Sequence, residues 1–290
     1  QYFFSQPGLY QTRDGFMHLK PKELEVALEA ANAAGENIMG FYNSLEPIKE
    51  APASITTQAD RNSQDIILSK LHNFFPDDGF IGEEDTPLYQ SLRNKNTGNR
   101  LWIVDPIDGT RGFAKKIGEF CIMIALVENG EPIVGVVHDP ANGRTTYACK
   151  NGGCYSKDRG KSEIQCKVSE RLTLAASTVT KTHSRQKGIA EGLSASLGAS
   201  KIRETYSAGL KLALVARGEA DIYVNDYPSY NDWDICAGHI LVTEAGGKMS
   251  DLNGNSLVYG MPAGSKGPGF IASNGHIHSE ALSKLRHHGL

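Results

Sequence analysis

Four acidic patches stand where the character of the chain changes. They are Asp60 in TTQAD, Glu83-Glu84-Asp85 after FIG, Asp105 and Asp108 in DPIDGT, and Asp232-Trp233-Asp234 before ICAGH. Acids that follow short apolar strands are held at a sheet rim by rigid elements. Brought together, such carboxylates repel one another unless hard cations lie among them. Mg²⁺ takes oxygen ligands in near-octahedral geometry, with water and substrate phosphate completing its shell. No Cys/His cluster in the sequence competes for a softer metal.

The spacing within Asp105-Pro106-Ile107-Asp108-Gly109-Thr110 fits that chemistry. Pro106 fixes the turn, so Asp105 and Asp108 can point the same way and the Ile107 carbonyl is left free as a ligand. Gly109 lets the backbone approach a phosphate closely. A helix starting there would offer the amides of Gly109 and Thr110 to an anion. Asp234, opening another helix, can face the same point. Each patch alone also reads as an ordinary turn or N-cap; the four together, with Thr110, favour a metal-dependent phosphatase. Haloacid-dehalogenase-type phosphatases use D-x-D-G-T with a nucleophilic first Asp. Here two residues separate the acids, which argues against a covalent aspartyl-phosphate.

The elements that position these residues follow from periodicity. Pro21 and KELEVALEAANAAGENIM predict a helix with Leu24, Ala27, Leu28 and Ala31 on one face. A second helix follows Asp60, with Ile67, Leu68, Leu71 and Phe75 as its stripe. FIGEED reads as a strand ending in acids. LWIV (101–104) reads as a strand stopped by Asp105-Pro106, because proline removes a ladder donor. FCIMIALV, PIVGVVHD and TTYAC follow, with turn signals at ENGE, ANGR and NGG. Beyond about residue 172 the rhythm changes to strand-like LTLAAS, a helix near 184–197, strand KIRE, helix 207–217, strand ADIYV, helix 233–245 and strand GFIASN. The expected organisation is an α+β domain over 1–172 carrying most of the metal ligands, and an α/β domain over 173–290 carrying Asp234 and the specificity region. GMPAGSKGPG (260–269) reads as a loop.

Composition narrows the class. Hydrophobic residues make up 40% and charged residues 22%, which suits a globular protein. A net charge of -3 supplies no basic field for nucleic acid, so a small phosphorylated substrate is the expected partner. No apolar run approaches the roughly 20 residues of a membrane span. The five cysteines, Cys121, Cys149, Cys154, Cys166 and Cys236, form no C-x-x-C pair and read as free thiols, with Cys149 and Cys154 placed to meet across a hairpin. Cytoplasmic residence is expected, with organellar import left open because the chain opens on Gln1. The association state is left as monomer or homodimer.

GEED (82–85), WIVDPIDGT (102–110) and WDICAG (233–238) together resemble the inositol monophosphatase superfamily, over about residues 24–275. The resemblance implies a layered α/β/α/β/α sandwich of the inositol monophosphatase and fructose-1,6-bisphosphatase type, two to three Mg²⁺ ions, and lithium sensitivity. By matching position it implies Glu83, Asp105 and the Ile107 carbonyl on a first metal, and Asp105, Asp108 and Asp234 on a second. Glu83 and, through water, Asp60 would hold a third. Thr110 and Asp60 would orient the attacking water, with Glu84 behind them holding Thr110 or a water. DGTRGFAKKIGEF, FCIMIALVENGEPIVGVV and SAGLKLALVARGEADIY are similar to 3′(2′),5′-bisphosphate nucleotidases, which implies Lys211 at the nucleotide or its second phosphate. Ser207-Ala208-Gly209 replaces the usual Gly-Ser-Ser, and Asn225 stands where an Arg is usual. His183-Ser184 is a candidate for a base or sugar, and Arg111, Lys115 and Lys116 for a second phosphate. His239 and Cys236 read as packing residues. The readings carried forward are a bisphosphate nucleotidase, an inositol or sugar phosphatase, and a non-catalytic metal- or phosphate-binding regulatory protein.

Overall fold

The computed structural model describes residues 9–11, 17–52, 57–93, 98–183, 197–225, 230–260 and 269–287. A short hairpin, β1 (Leu9–Gln11) with β2 (Met17–Leu19), precedes helices α1 (Lys22–Ser44) and α2 (Gln58–Phe74). A seven-stranded sheet follows: β3 (Gly79–Gly82), β4 (Arg100–Asp108), β5 (Cys121–Glu128), β6 (Glu131–Asp139), β7 (Arg144–Cys149), β8 (Gly153–Asp158) and β9 (Ile164–Cys166), neighbours in that order. Only the β3–β4 pair is parallel; the rest is a meander. Short helices α3 (Pro87–Leu92) and α4 (Thr110–Ala114) flank β4. The second sheet contains β10 (Thr178–Lys181), β11 (Lys201–Glu204), β12 (Ile222–Asn225), β13 (Lys248–Asp251) and β14 (Phe270–Ser273), in the order β11-β10-β12-β14-β13. Helices α5 (Ala208–Ala216), α6 (Asp232–Glu244) and α7 (His278–His287) complete the described elements.

The strands of the first sheet are apolar on both faces because helices cover both. On β5, Ile122, Ile124 and Leu126 enter a core with Leu24, Ala27, Ala31, Ile67, Leu68 and Leu71 of α1 and α2. The alternate residues Cys121, Met123, Ala125 and Val127 enter a core with Leu212, Ile235, Ala237 and Ile240 of α5 and α6. A period of two thus divides one continuous apolar run between two cores. The second sheet meets α5 and α6 through Tyr223, Phe270 and Ala272, and meets α7 through Ile222, Ile271 and Val224. The layers run α1/α2, first sheet, α5/α6, second sheet, α7, the expected five-layered sandwich. Among the described residues no helix is long and apolar enough to cross a membrane.

Several local expectations need correction. β4 does not end at Val104. It pairs with β5 to Asp105↔Met123 and resumes at Asp108↔Cys121, with one extra residue on the β4 side. Pro106 removes a ladder donor, and a bulge absorbs the loss without ending the strand. The meander runs two strands beyond TTYAC, through β8 and β9. LTLAAS is a 3₁₀ turn (Leu174–Ala176), and the strand begins only at Thr178. The helix expected near 184–197 and the loop at 260–269 fall almost wholly outside the described residues. Cys149 lies opposite Gly153, and Cys154 lies opposite Ala148 on one side and Cys166 on the other, so a Cys149–Cys154 pair does not form. All five cysteines are buried free thiols.

Candidate metal and phosphate site

The bulge in β4 is where the acids converge. Asp105 and Asp108 bracket it, and one carboxylate oxygen from each of Asp105, Asp108 and Asp234 lies within 4.8 Å of the others. Asp105 is 2% exposed, and its Oδ1 has no hydrogen-bond partner. A buried carboxylate oxygen without a donor is costly, and a cation is the natural complement. Burial, then the carboxylates of Glu83, Asp108 and Asp234, push Asp105 well above the usual carboxylate range. Glu83 is exposed as a residue, yet its carboxyl turns in to share a hydrogen bond with Asp105, and desolvation there pushes it up to about 8. Burial and mutual repulsion thus disfavour charge on this pair, and a cation among the carboxylates would relieve both. The all-oxygen donor set fits Mg²⁺.

Asp108 is held differently. Its Oδ2 accepts from the Ser207 hydroxyl and from the Gly209 N–H at 2.6 Å. Ser207 caps α5, accepting from Leu210 N at 3.0 Å, and lies 3.3 Å from the Cys121 sulfur. The first turn of α5 therefore grips a carboxylate from β4. Burial raises Asp108, and these hydrogen bonds pull against it. Asp234 is fixed by its own helix start, its Oδ2 accepting from Asn231 N at 2.5 Å. The neighbouring Asp232 turns away to accept from Gly260 N at 2.9 Å.

Asp60 occupies the third helical position of α2 in a capping box, its Oδ2 accepting from Thr57 N at 2.7 Å. Its Oδ1 accepts from the Thr110 hydroxyl at 3.2 Å, and the same hydroxyl lies 2.9 Å from the Ile107 carbonyl. Burial raises the Asp60 carboxyl against these bonds. Thr110 is thus engaged with Asp60 and Ile107. Gln64 grips the Glu84 main chain, donating to its carbonyl at 2.5 Å and accepting from its N–H at 2.8 Å. Gly109 has φ +89°, and a Cβ there would lie 2.7 Å from the Glu119 carbonyl, so the turn into α4 requires glycine.

The candidate substrate residues lie around this centre. The Lys211 ammonium is buried and donates to Thr182 Oγ1 at 2.6 Å, to the Thr205 carbonyl at 3.2 Å and to the Tyr206 carbonyl at 3.5 Å. Burial brings it down to about 8. His183 Nε2 lies 2.8 Å from Glu119 Oε2, and its ring packs at a tilt against Tyr206 with centroids 4.6 Å apart. Ser184 is outside the described residues. Asn225 closes β12 opposite Phe270. Lys116 donates to the Asn43 and Leu45 carbonyls at 3.2 and 3.0 Å. His239 pairs with the Tyr259 hydroxyl at 2.8 Å, and burial lowers it to about 4.

Sequence reasoning missed Ser63, which donates to the Pro106 carbonyl at 3.1 Å, along with Gln64, Thr57 and Glu119. The first two had a readable signal. Asp60, Ser63, Gln64 and Ile67 follow the i, i+3, i+4, i+7 spacing of the buried face of α2, so polar groups there needed partners. Glu119 and Cys121 carried none.

Comparisons agree with this geometry. The model for the Inositol monophosphatase family matches residues 20–290. A fructose-1,6-bisphosphatase/inositol-1-monophosphatase of Thermotoga maritima is 33% identical over 264 residues, covering 89% of this chain and 94% of that protein. The 3′(2′),5′-bisphosphate nucleotidase CysQ of Escherichia coli K12 is 32% identical, covering 86% of this chain and 99% of its own length. The solved Thermotoga maritima IMPase superposes with a TM-score of 0.76 at 32% identity, covering 92% of this chain and 98% of that one. With its acids gathered at the β4 bulge inside a five-layered sandwich, this chain belongs to the inositol monophosphatase family and is a phosphatase of that family.

Proposed function

We propose that the chain is a Mg²⁺-dependent phosphomonoesterase that hydrolyses a 3′(2′),5′-bisphosphate nucleotide, adenosine 3′,5′-bisphosphate giving AMP and phosphate. The observation that carries the chemistry is the convergence of Asp105, Asp108 and Asp234 beside the Asp60–Thr110 pair. The nucleotide reading is supported by the near-complete coverage of the CysQ relative and by the segments around 109–137 and 207–223.

Asp105, Asp108, Asp234, Glu83 and the Ile107 carbonyl would hold two to three ions. Bound Mg²⁺ supplies positive charge that acidifies water, binds phosphate oxygens and steadies the leaving alkoxide. The chain's own groups do the positioning. Thr110 Oγ1 donates to Asp60 Oδ1 and keeps a lone pair to accept from the attacking water. The proton released in attack passes along that bond to Asp60 Oδ1. The amides of Gly109 and Thr110, at the start of α4, would be offered to the phosphate. Phosphoryl transfer asks mainly for such positioning and charge stabilisation.

A phosphate-release panel tests the reading. Adenosine 3′,5′-bisphosphate should be turned over with higher kcat/KM than inositol 1-phosphate; the reverse order would favour the inositol or sugar phosphatase reading, which the Thermotoga relative supports. Inhibition by lithium is expected. The same panel tests the phosphatase reading against the remaining class, a non-catalytic metal- or phosphate-binding regulator. Absence of turnover on the whole panel with Mg²⁺ would select it.

A further inference from the structure

Of the two groups of residues expected at a second phosphate, Lys211 with Asn225 does not offer a cation to a ligand here, which leaves Arg111, Lys115 and Lys116. Asn225 has no charge, and the Lys211 ammonium is spent on Thr182 and on the carbonyls of Thr205 and Tyr206. Lys211 acts as a brace for the segment leading into α5. A second anion would need positive charge from elsewhere.

The structure places that charge on α4 and the residue that follows it, beside the ring of Tyr206. Arg111 follows Thr110 in α4, and its guanidinium carbon lies 4.9 Å from the centre of the Tyr206 ring. Lys115 Nζ lies 5.5 Å from the same centre. Tyr206 immediately precedes Ser207, whose hydroxyl is on Asp108, so this stack borders the acidic cluster. The ring is pinned: the Tyr206 N–H donates to Glu119 Oε2 at 3.1 Å, and His183, bonded to the same carboxylate, packs against it. The nearby carboxylates are thereby occupied, Glu119 by Tyr206 and His183, and Glu204 by His183 and Lys181. Arg111 and Lys115 make no ion pair among the described residues, and Arg111 Nε is buried with no hydrogen-bond partner. Stacking fixes the plane of a guanidinium and leaves its edge to meet phosphate oxygens with paired N–H donors.

We propose that Arg111 and Lys115, held over the ring of Tyr206, form the subsite for a second phosphate on the leaving group, and that Arg111 sets the preference for bisphosphate over monophosphate substrates. This inference rests on the nucleotidase reading above. Arg111 is the specificity-determining residue, and Tyr206 positions it.

The test compares kcat/KM for adenosine 3′,5′-bisphosphate with that for adenosine 3′-monophosphate. Wild type is compared with Arg111→Ala, Arg111→Lys, Tyr206→Leu and Tyr206→Phe, each checked by thermal melt in Mg²⁺. Arg111→Ala should lower the bisphosphate-to-monophosphate ratio at least tenfold, mainly through KM for the bisphosphate. Arg111→Lys should recover part of the loss. Tyr206→Leu should lower the ratio less than Arg111→Ala, and Tyr206→Phe, which retains the ring, should keep it within twofold of wild type. A ratio unchanged in Arg111→Ala, or equal losses on both substrates, would overturn the subsite. A wild type that prefers inositol 1-phosphate would instead overturn the nucleotidase reading; the same ratio taken on a sugar bisphosphate and its monophosphate then decides the subsite.

Discussion

Ser207→Ala separates two jobs done by one hydroxyl. Ser207 caps α5 through Leu210 N, and it donates to Asp108 across the two layers. Losing a cap costs about 1 kcal/mol. Losing a hydrogen bond to a charged group costs about 1.5–3 kcal/mol, and to a neutral one about 1. Without a cation, burial shifts Asp108 toward its protonated form and weakens its charge-assisted bond to Ser207; with Mg²⁺ bound it must be ionised. The variant should therefore lose about 2 kcal/mol in EDTA and about 2.5–4 kcal/mol in saturating Mg²⁺. At roughly 2–4 °C per kcal/mol, Tm falls by about 4–8 °C in EDTA and about 5–16 °C in Mg²⁺. Differential scanning calorimetry under both conditions gives the comparison, and the extra loss in Mg²⁺ is by linkage a weakened Mg²⁺ affinity. Equal losses in the two buffers would refute the bond to Asp108 as a contributor and leave only the cap. An Asp108→Asn background gives a second check, because the Mg²⁺-dependent part of the Ser207→Ala loss should disappear there.

Other perturbations follow from the same geometry. Asp108→Asn should lower kcat by at least about a thousandfold while circular dichroism shows a folded chain, since removal of a charge that acts on the transition state costs on that scale; surviving activity would remove Asp108 from the metal set. The metal-free protein should lose stability as pH rises. Glu83 titrates near 4.5 when unfolded and near 8 when folded, so its contribution is full below about 4.5 and is lost as pH passes through 8. Mg²⁺ should thus raise Tm more at pH 8.5 than at pH 6, and a gain independent of pH would count against carboxylate ligands. In Gly112→Ala the new Cβ would lie 2.2 Å from the Glu119 carbonyl, a backbone atom that cannot rotate away. It should cost at least about 1–3 kcal/mol in urea denaturation, whereas Gly40→Ala, where nothing lies within 4 Å, should not destabilise.

What the sequence discloses is mostly what is encoded within a few residues. The stripes of α1 and α2, the apolar run of β5 and the elements from β11 to α6 depend on local periodicity, and they were readable; the short β13 and the C-terminal α7 were not expected. The course of β4 was not. Whether proline ends a strand or is absorbed by a bulge depends on the neighbouring strand, and here β5 pairs again at Cys121 once the extra residue has been accommodated. The 3₁₀ turn at Leu174–Ala176 is similar, because LTLAAS has the composition of a strand but Leu174 is the residue drawn into the core of α7 and the second sheet.

The site divides along the same line. DPIDGT announces its acids because bulge, glycine and helix start occupy six consecutive residues. The grip on Asp108 joins β4 to α5 across 99 residues of sequence, and no local pattern encodes it. Lys211 makes the point from the other side. Its position implies a ligand contact, yet a buried ammonium takes the nearest acceptors, and here those are the Thr182 hydroxyl and the carbonyls of Thr205 and Tyr206. A buried cation whose donors are already engaged is poorly placed to read a substrate. Discrimination then falls to cations that are stacked but unpaired, and at the edge of this acidic cluster Arg111 meets that condition.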